Sequence, residues 1–583
     1  MKKIEWTGTA FVLTALLLLF VLLNTQTYRL TPGVVSSVIT DSSQLAYLTP
    51  GLTQMEKKDF DSKIGFATAF NKAVKAANQK IEAGTTSSDE KDIGDKPEEK
   101  KDDKKINDKK ENAGKDSSDE SDDGNNEEAA DSSKQNNPGG INKETDNGDE
   151  GGDSVSPIKE DFTSRLLVAS AKGPVNTYTL PLFILVMALF TFGSLLVTYG
   201  KYANKPAGIK NDNVFKKPMT NKKLPAILVG IGLIVFYVIL YWYPYLLADW
   251  IRLVTPAKNI FSQGLASEDY LYGFIYTVAV ILLGIKMFVK YRHSTYQKIR
   301  TISVTFFQLC FAFIIPEILA ALKQPSVDLK NIWPLDYTFF FGSNISELIS
   351  SGKFGMYVLV WGIILIIVIV PVLTYFFGKR WYCSWVCGCG GLAETAGDPY
   401  RHLSNKKLSA WKIERILIYA VLVITVGMTA VTLINYFSNG NLLGSFTETF
   451  QTWYGFAIGS VFAGVIGTGF YPVMGSRVWC RFGCPLSAIF GIIQRYKSRF
   501  RITTNGGQCI SCGNCSTYCE MGIDVRWYAQ RQQNIVRASC VGCGICAQVC
   551  PRGVLKLENG TTENRINNNP IIIGNDGIKI AGN

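Results

Sequence analysis

The chain has 583 residues, 47% of them hydrophobic and 12% aromatic, and its 60 Lys+Arg against 48 Asp+Glu give a formal charge of +12. These averages mix unlike parts: residues 81–160 hold 25 Asp+Glu and 12 Lys+Arg, which leaves 48 Lys+Arg against 23 Asp+Glu on the remainder. That basic excess sits in loops beside apolar runs, which points to a lipid bilayer and away from nucleic acid, and two histidines, His293 and His402 in basic loops, are too few for membrane haems on paired imidazoles.

Residues 1–24 join Lys2 and Lys3 to the apolar run Phe11–Leu23. No small-x-small cleavage site follows, so the segment reads as an uncleaved signal anchor and first span. Residues 25–179 follow as an extracytoplasmic segment. Within it an amphipathic stretch over Ile64–Ile81 predicts a helix, and 83–157, rich in Asp, Glu, Ser, Lys, Asn and Gly, predicts a disordered acidic linker, because it has too little apolar surface to offset the entropy of ordering. A solvated spacer is the plain interpretation; a docking arm for a basic partner is the alternative.

Seven further apolar runs follow, at Leu180–Tyr199, Leu224–Leu247, Tyr270–Val289, Ile302–Leu322, Gly355–Phe377, Ile416–Phe437 and Gly455–Val473. Each is about the twenty residues that cross a hydrocarbon core as a helix, so about eight spans are expected. The loops set orientation, because lysine and arginine near span ends stay on the cytoplasmic side. The connections 199–223, 290–300 and 378–415 are basic, whereas 249–269, 323–354 and 438–454 are poor in such residues. Eight spans with both termini in the cytoplasm satisfy every loop. The domains expected are thus membrane helices over 180–354, a membrane module over 355–498, a ferredoxin-like domain over 499–560 and a tail over 561–583.

Two related motifs lie where the sixth and eighth runs end, Gly378-Lys-Arg-Trp-Tyr-Cys383-Ser-Trp-Val-Cys387 and Gly475-Ser-Arg-Val-Trp-Cys480-Arg-Phe-Gly-Cys484-Pro485. Both read G-x-R-x-aromatic-C-x3-C, which suggests an internal duplication of a span and its exit turn. A spacing of four puts each pair on one face of a helical turn. The four thiols Cys383, Cys387, Cys480 and Cys484 could then converge on a further thiolate-bound metal or cluster, or cycle between thiol and disulfide. Arg380 and Arg477 would lower the thiol pKa values if close in space. The bland alternative is that the thiols simply pack and that Trp381, Tyr382, Trp385 and Trp479 are interfacial anchors. Cys389 has no counterpart in the second motif and is either a substitute ligand or a bystander; Cys310 lies alone in an apolar run, as a core residue would.

From Cys509 the chain reads C-I-S-C-G-N-C-S-T-Y-C and, twenty residues after Cys519, C-V-G-C-G-I-C-A-Q-V-C-P. Each half has the spacing C-x2-C-x2-C-x3-C, which suits a cubane iron–sulfur cluster. Because the fourth cysteine of each run serves the other cluster in two-cluster ferredoxins, one [4Fe-4S] cluster would take Cys509, Cys512, Cys515 and Cys550, and the second Cys540, Cys543, Cys546 and Cys519. Disulfides and structural zinc are the competing uses of eight cysteines; a cytoplasmic location disfavours the first, and triplets at this spacing disfavour the second. Pro551 follows Cys550, but Glu520 stands after Cys519.

Two C-x3-C motifs in a multispan membrane segment, followed by a two-cluster ferredoxin, resemble the membrane-bound polyferredoxins associated with periplasmic nitrate reductase and nitrous oxide reductase (the NapH and NosR types) and the related iron–sulfur proteins of cytochrome oxidase assembly (the CcoG type). The resemblance covers about 355–557. It implies a multispan α-helical membrane protein with a C-terminal α+β two-cluster ferredoxin-like domain, in a bacterial cytoplasmic membrane. It further implies electron transfer between the quinone pool, the clusters and a membrane or extracytoplasmic reductase or a cytoplasmic electron donor. Gly388 stands where the first motif of the family has proline, and the N-terminal region lacks the flavin-attachment motif of the NosR type. Two alternatives stay open: a copper reductase or assembly factor using the paired cysteines, since soft thiolates favour Cu(I), and a redox sensor.

Overall fold

The structure is a computed structural model that describes residues 2–39, 42–89, 162–209, 214–440, 442–505, 508–559, 571–574 and 577–580. Seven helices among the described residues are long and apolar enough to cross a membrane. They are α1 (Lys2–Leu22), α3 (Thr179–Tyr202), α4 (Leu224–Trp242), α5 (Glu268–Lys290), α6 (Thr295–Ala321), α7 (Gly352–Phe377) and α10 (Leu408–Phe437). An apolar helix satisfies its backbone internally and exposes only side chains, which is why such runs fold this way. The caps follow the sequence: Ser267 accepts from the Tyr270 N–H at the start of α5, and Ser294 from the Gln297 N–H at the start of α6. Small residues let α1 and α3 approach closely, since a Cβ on Gly8 would stand 2.7 Å from the Gly193 carbonyl oxygen.

The last expected run, Gly455–Val473, is a different object. Most of it, 455–469, lies in the helical stretch α11 (444–469), whose turns from Gly455 to Ile466 are π-helical, and it does not rank among the seven membrane-type helices. Its glycines serve packing instead: a Cβ on Gly464 would meet the Tyr241 ring at 2.4 Å, and one on Gly469 the Ile234 side chain at 2.5 Å.

Two features were not anticipated from sequence. The first is a folded cap at the bundle end where α4 stops and α5 begins. Strand β1 (Thr27–Tyr28) pairs antiparallel with β2 (Ala171–Lys172), and α2 (Lys63–Asp89) packs Phe66 and Phe70 against Leu166, Leu167, Leu247 and Ile251. The helix expected over Ile64–Ile81 is therefore real and runs on to Asp89; residues 90–161, most of the acidic linker, lie outside the described residues. Lys63 and Asp249 form a buried ion pair of 2.7 Å under this cap, with the Tyr28 hydroxyl donating to Asp249 at 2.9 Å. The second is the connection from α6 to α7, which folds back between the helices: Trp333 Nε1 donates to Thr429 of α10 at 3.0 Å, and Tyr382 donates to the Lys330 carbonyl at 2.9 Å.

At the other end of the bundle stands the C-terminal domain. Strand β3 (Arg501–Thr504) pairs antiparallel with β4 (Leu555–Glu558), and Gly513 and Gly544 turn the two cysteine loops at φ +76° and +78°. The tail contributes a hairpin of β5 (Ile571–Gly574) and β6 (Gly577–Ile580).

Candidate iron–sulfur site

Each paired-cysteine motif straddles a break between two helices. Cys383 ends α8 (Arg380–Cys383), and Cys387 caps α9 (Gly388–Thr395); likewise Cys480 lies in α12 (Val478–Phe482), and Cys484 caps α13 (Pro485–Tyr496). The expectation that each pair shares one helical turn is thus corrected, and the reason is local. Gly378 and Gly475 end the preceding helices at φ +65° and +98°. The Cys387 N–H then reaches the Tyr382 carbonyl at 2.8 Å, and the Cys484 N–H the Trp479 carbonyl at 3.0 Å. The duplication read from sequence is a duplication of this turn, and it places a sulfur at the N-terminus of a helix in each copy.

The structure does bring the pairs together. Cys383, Cys387, Cys480 and Cys484 are all buried, and their thiols act electrostatically on one another. Cys389 joins them: its S–H donates to Cys387, which holds the Cys387 thiol down at about 6 and pushes Cys389 well up. Burial pushes Cys383 up to about 12 and raises Cys480 and Cys484 as well, so the expected lowering by arginine is outweighed. Arg477 does approach, with Nη1 3.7 Å from Cys480 Sγ. Arg380 does not; it stacks on Phe500 at 4.7 Å and donates to Asn559 at 2.8 Å, because the ferredoxin domain covers that side. Tyr382 and Trp479 are likewise buried packing residues and not interfacial anchors.

The eight ferredoxin cysteines fall into two groups. Cys509, Cys512, Cys515 and Cys550 line one small cavity together with Pro551 and Arg526. Cys546 feels the charges of Cys543, Cys540 and Cys519, and also that of Cys515 from the first group. Among the described residues no three His, Cys, Asp or Glu side chains converge tightly enough to hold a single ion; a cubane is wider than one ion, and an all-thiolate set around a small cavity fits that larger group.

What sequence reasoning missed is the mounting of the second group. Backbone carbonyls along 537–543 are met by side chains of the membrane module. Gln494 donates to the Arg537 and Cys540 carbonyls at 2.7 and 2.8 Å, Lys379 to Ala538 at 3.1 Å, Ser384 to Val541 at 2.7 Å, Tyr296 to Gly542 at 2.8 Å, and Gln297 to Cys543 at 2.7 Å. Behind them lies a buried ion network. Glu394 receives Arg300, Arg401 and Arg477, the last at 2.6 Å, and Glu520 receives Arg401 and Arg477. Burial alone would raise Glu394, yet the three guanidinium groups hold it well below the usual carboxylate range; for Glu520, burial and the charge of Glu394 prevail and push it up. Asp398 extends the network to Lys290 at 2.6 Å and Arg401 at 3.0 Å. Glu520, the residue that departs from proline after Cys519, is thus the carboxylate that ties the ferredoxin domain to Arg477 of the second cysteine motif and to Arg401 beyond α9. Its only signal in the sequence was that departure.

The cysteine motifs mounted on membrane-type helices are similar to known iron–sulfur domains. A 4Fe-4S binding domain model matches residues 360–410 and 444–503, each stretch holding one cysteine pair, and a 4Fe-4S dicluster domain model matches 480–555, which holds all eight ferredoxin cysteines. The chain is similar to the methylamine utilization ferredoxin-type protein MauN of Methylobacillus flagellatus, 29% identical over 153 residues, 26% of this chain and 52% of that protein. It is also similar to the putative electron transport protein YccM of Escherichia coli, 28% identical over 163 residues, 25% of this chain and 43% of that protein. The chain spans about half the length of these curated relatives. No solved structure matches it.

Proposed function

We propose that the protein relays single electrons between the quinone pool and a redox partner through two [4Fe-4S] clusters, one on Cys509, Cys512, Cys515 and Cys550 and the other on Cys540, Cys543, Cys546 and Cys519. The observation that carries this is the bonding of the 537–543 loop to the membrane module, which fixes one cysteine group against the membrane helices while the other faces outward. A bound cluster supplies one-electron chemistry without large rearrangement; the protein's part is to hold its ligands, shield it and set its potential by hydrogen bonds and burial.

In this proposal the cysteine-bearing end faces the cytoplasm of a bacterial cell, with both termini, because the basic connections 199–223, 290–300 and 378–415 gather there. The stretch 444–469 then passes through the bilayer as an eighth, protein-packed segment. Anaerobic iron and sulfide analysis tests the cluster assignment: two cubanes require about eight iron atoms per chain, and trace iron alone would end the proposal.

The four buried thiols Cys383, Cys387, Cys480 and Cys484, with the half-buried Cys389 beside them, favour a further thiolate-bound centre. In the metal-reductase version that centre is copper. Metal analysis of Cys383→Ser and Cys480→Ser separates the two: unchanged copper content rejects the copper version.

A further inference from the structure

Between the first turns of α10 and the helices α12 and α13, on the side facing the ferredoxin domain, lies a cavity of about 220 Å³. Its wall includes Cys480 of the second pair, and also Met521 and Ser539, which stand within two residues of Cys519 and Cys540. The cavity therefore adjoins both the paired thiols and the inner ferredoxin loop.

An acid and a base are built into the same wall. Arg481 Nε donates to Glu414 at 2.7 Å and Nη1 to the Asn405 carbonyl at 2.8 Å, while the Ser539 hydroxyl donates to the other Glu414 oxygen. Arg481 is 3% exposed, yet its Nη2 has no hydrogen-bond partner. Buried donors are almost always satisfied, so an unpartnered one in a cavity wall points to an acceptor brought by a ligand. The cavity also opens to the outer face of the bundle. Arg415 and Arg495, both exposed, line it, so it opens between α10 and α13, where the neighbouring Ile416 and Tyr496 are 70% and 68% exposed.

We propose that this cavity binds the head group of a membrane quinone, whose apolar tail leaves between α10 and α13. The inference rests on the electron-transfer function proposed above and gives its quinone a place. A quinone carbonyl is the acceptor that Arg481 Nη2 lacks, and Glu414 is a carboxylate positioned to take a hydroxyl proton. Oxidation of one hydroquinone breaks two O–H bonds and releases two electrons and two protons. A cluster held by Cys519, Cys540, Cys543 and Cys546, behind Met521 and Ser539, would accept those electrons one at a time. Each proton goes to Glu414 and then to water at the mouth beside Arg415 and Arg495. Reduction of a quinone runs the same steps backward. Lys379, Arg415, Arg495 and Arg537 in the lining would also attract a lipid phosphate, but the Glu414 carboxylate, paired with Arg481 and Ser539 in the wall, suits a hydroxyl donor such as a hydroquinone.

The test uses the full-length, cluster-loaded protein with a photoreactive quinone analogue, the labelled peptides being mapped by mass spectrometry, and equilibrium binding of the unreactive analogue. The label is expected within 411–419 or 480–495, and Arg481→Gln is expected to weaken binding about tenfold or more. Iron content and the dithionite-reduced spectrum show that each variant is folded. If Arg481→Gln does not fold, the nearly isosteric Glu414→Gln serves: it is expected to bind the analogue but to lose most quinol-driven reduction. Label on other helices, with binding indifferent to both substitutions, overturns this site while leaving quinone-linked electron transfer standing. Displacement of the label by phosphatidylglycerol but not by the quinone analogue assigns the cavity to lipid and overturns it too. Failure of any quinol to reduce the clusters overturns the wider function as well.

Discussion

Gly513 and Gly544 turn the two cysteine loops of the ferredoxin domain alike, yet the loops meet different surroundings. In the outer group Cys512 is exposed and Cys509 and Cys550 are half-buried, and its supports are local, such as the 2.6 Å bond from Ser516 to Asp524. In the inner group Cys540 and Cys546 are buried, and its loop is bonded to residues far away in sequence, from Tyr296 to Gln494. With both groups loaded as proposed, one spacing rule gives an exposed centre suited to exchange with a soluble partner and a mounted centre suited to exchange with the membrane. Burial and hydrogen bonding tune cluster potentials, so the two should differ in potential although their ligands are the same.

Removing a ligand on either side should break this comparison most. Cys540→Ser is expected to lose about half the iron and all quinol-driven reduction, whereas Cys512→Ser loses a similar share of iron but leaves the inner centre reducible by quinol; iron analysis with anaerobic EPR on both variants measures it. Next in size is the mounting. Glu520→Ala leaves Arg401 and Arg477 short of a buried partner and should cost about 3–5 kcal/mol, while Asp524→Ala beside the outer loop should cost about 1 kcal/mol, both read from thermal unfolding in detergent.

A pH effect sharpens the contrast. Burial pushes the Cys540 thiol up from 9.0 to about 12, so the folded iron-free protein holds that proton more tightly than the unfolded chain does. Its contribution is fully present below pH 9 and is lost as the pH rises toward 12, so the iron-free protein should lose stability on going from pH 8 to pH 10. In the loaded protein the ligand carries no proton, and this dependence should vanish; melting curves of both forms across that range check it. The smallest effect is expected from Arg380→Met, about 1 kcal/mol or less, with the paired thiols unaltered, since Arg380 faces Phe500 and Asn559. Thiol alkylation rates at Cys383 and Cys387 in the iron-free protein would show the lack of coupling.

The cysteine spacing made the iron–sulfur character of 480–555 readable in advance, because cluster geometry dictates how far apart ligands stand along a loop. Apolar run length made seven helices readable for the same kind of reason. The stretch 444–469 differs because apolar content does not distinguish a lipid-facing helix from one whose glycines seat other side chains. The cap built from β1, β2, α2 and Leu166 was hidden because β1 and β2 pair across more than a hundred residues, the acidic stretch 83–157 among them. The network of Glu394, Glu520, Arg300, Arg401 and Arg477 was hidden too: each is a charged residue next to a loop or motif, and only the fold shows that all are buried together. Arg380 and Arg477 occupy matching positions in the two motifs, yet only Arg477 meets a thiol.

The most direct measurement is anaerobic EPR of the purified protein, with a menaquinol analogue and dithionite compared as reductants. A reduced-cluster signal with the quinol, attenuated in Cys540→Ser and retained in Cys512→Ser, is what an inner centre mounted on the membrane module predicts. A signal with dithionite alone would contradict it, leaving the clusters out of reach of the quinone pool.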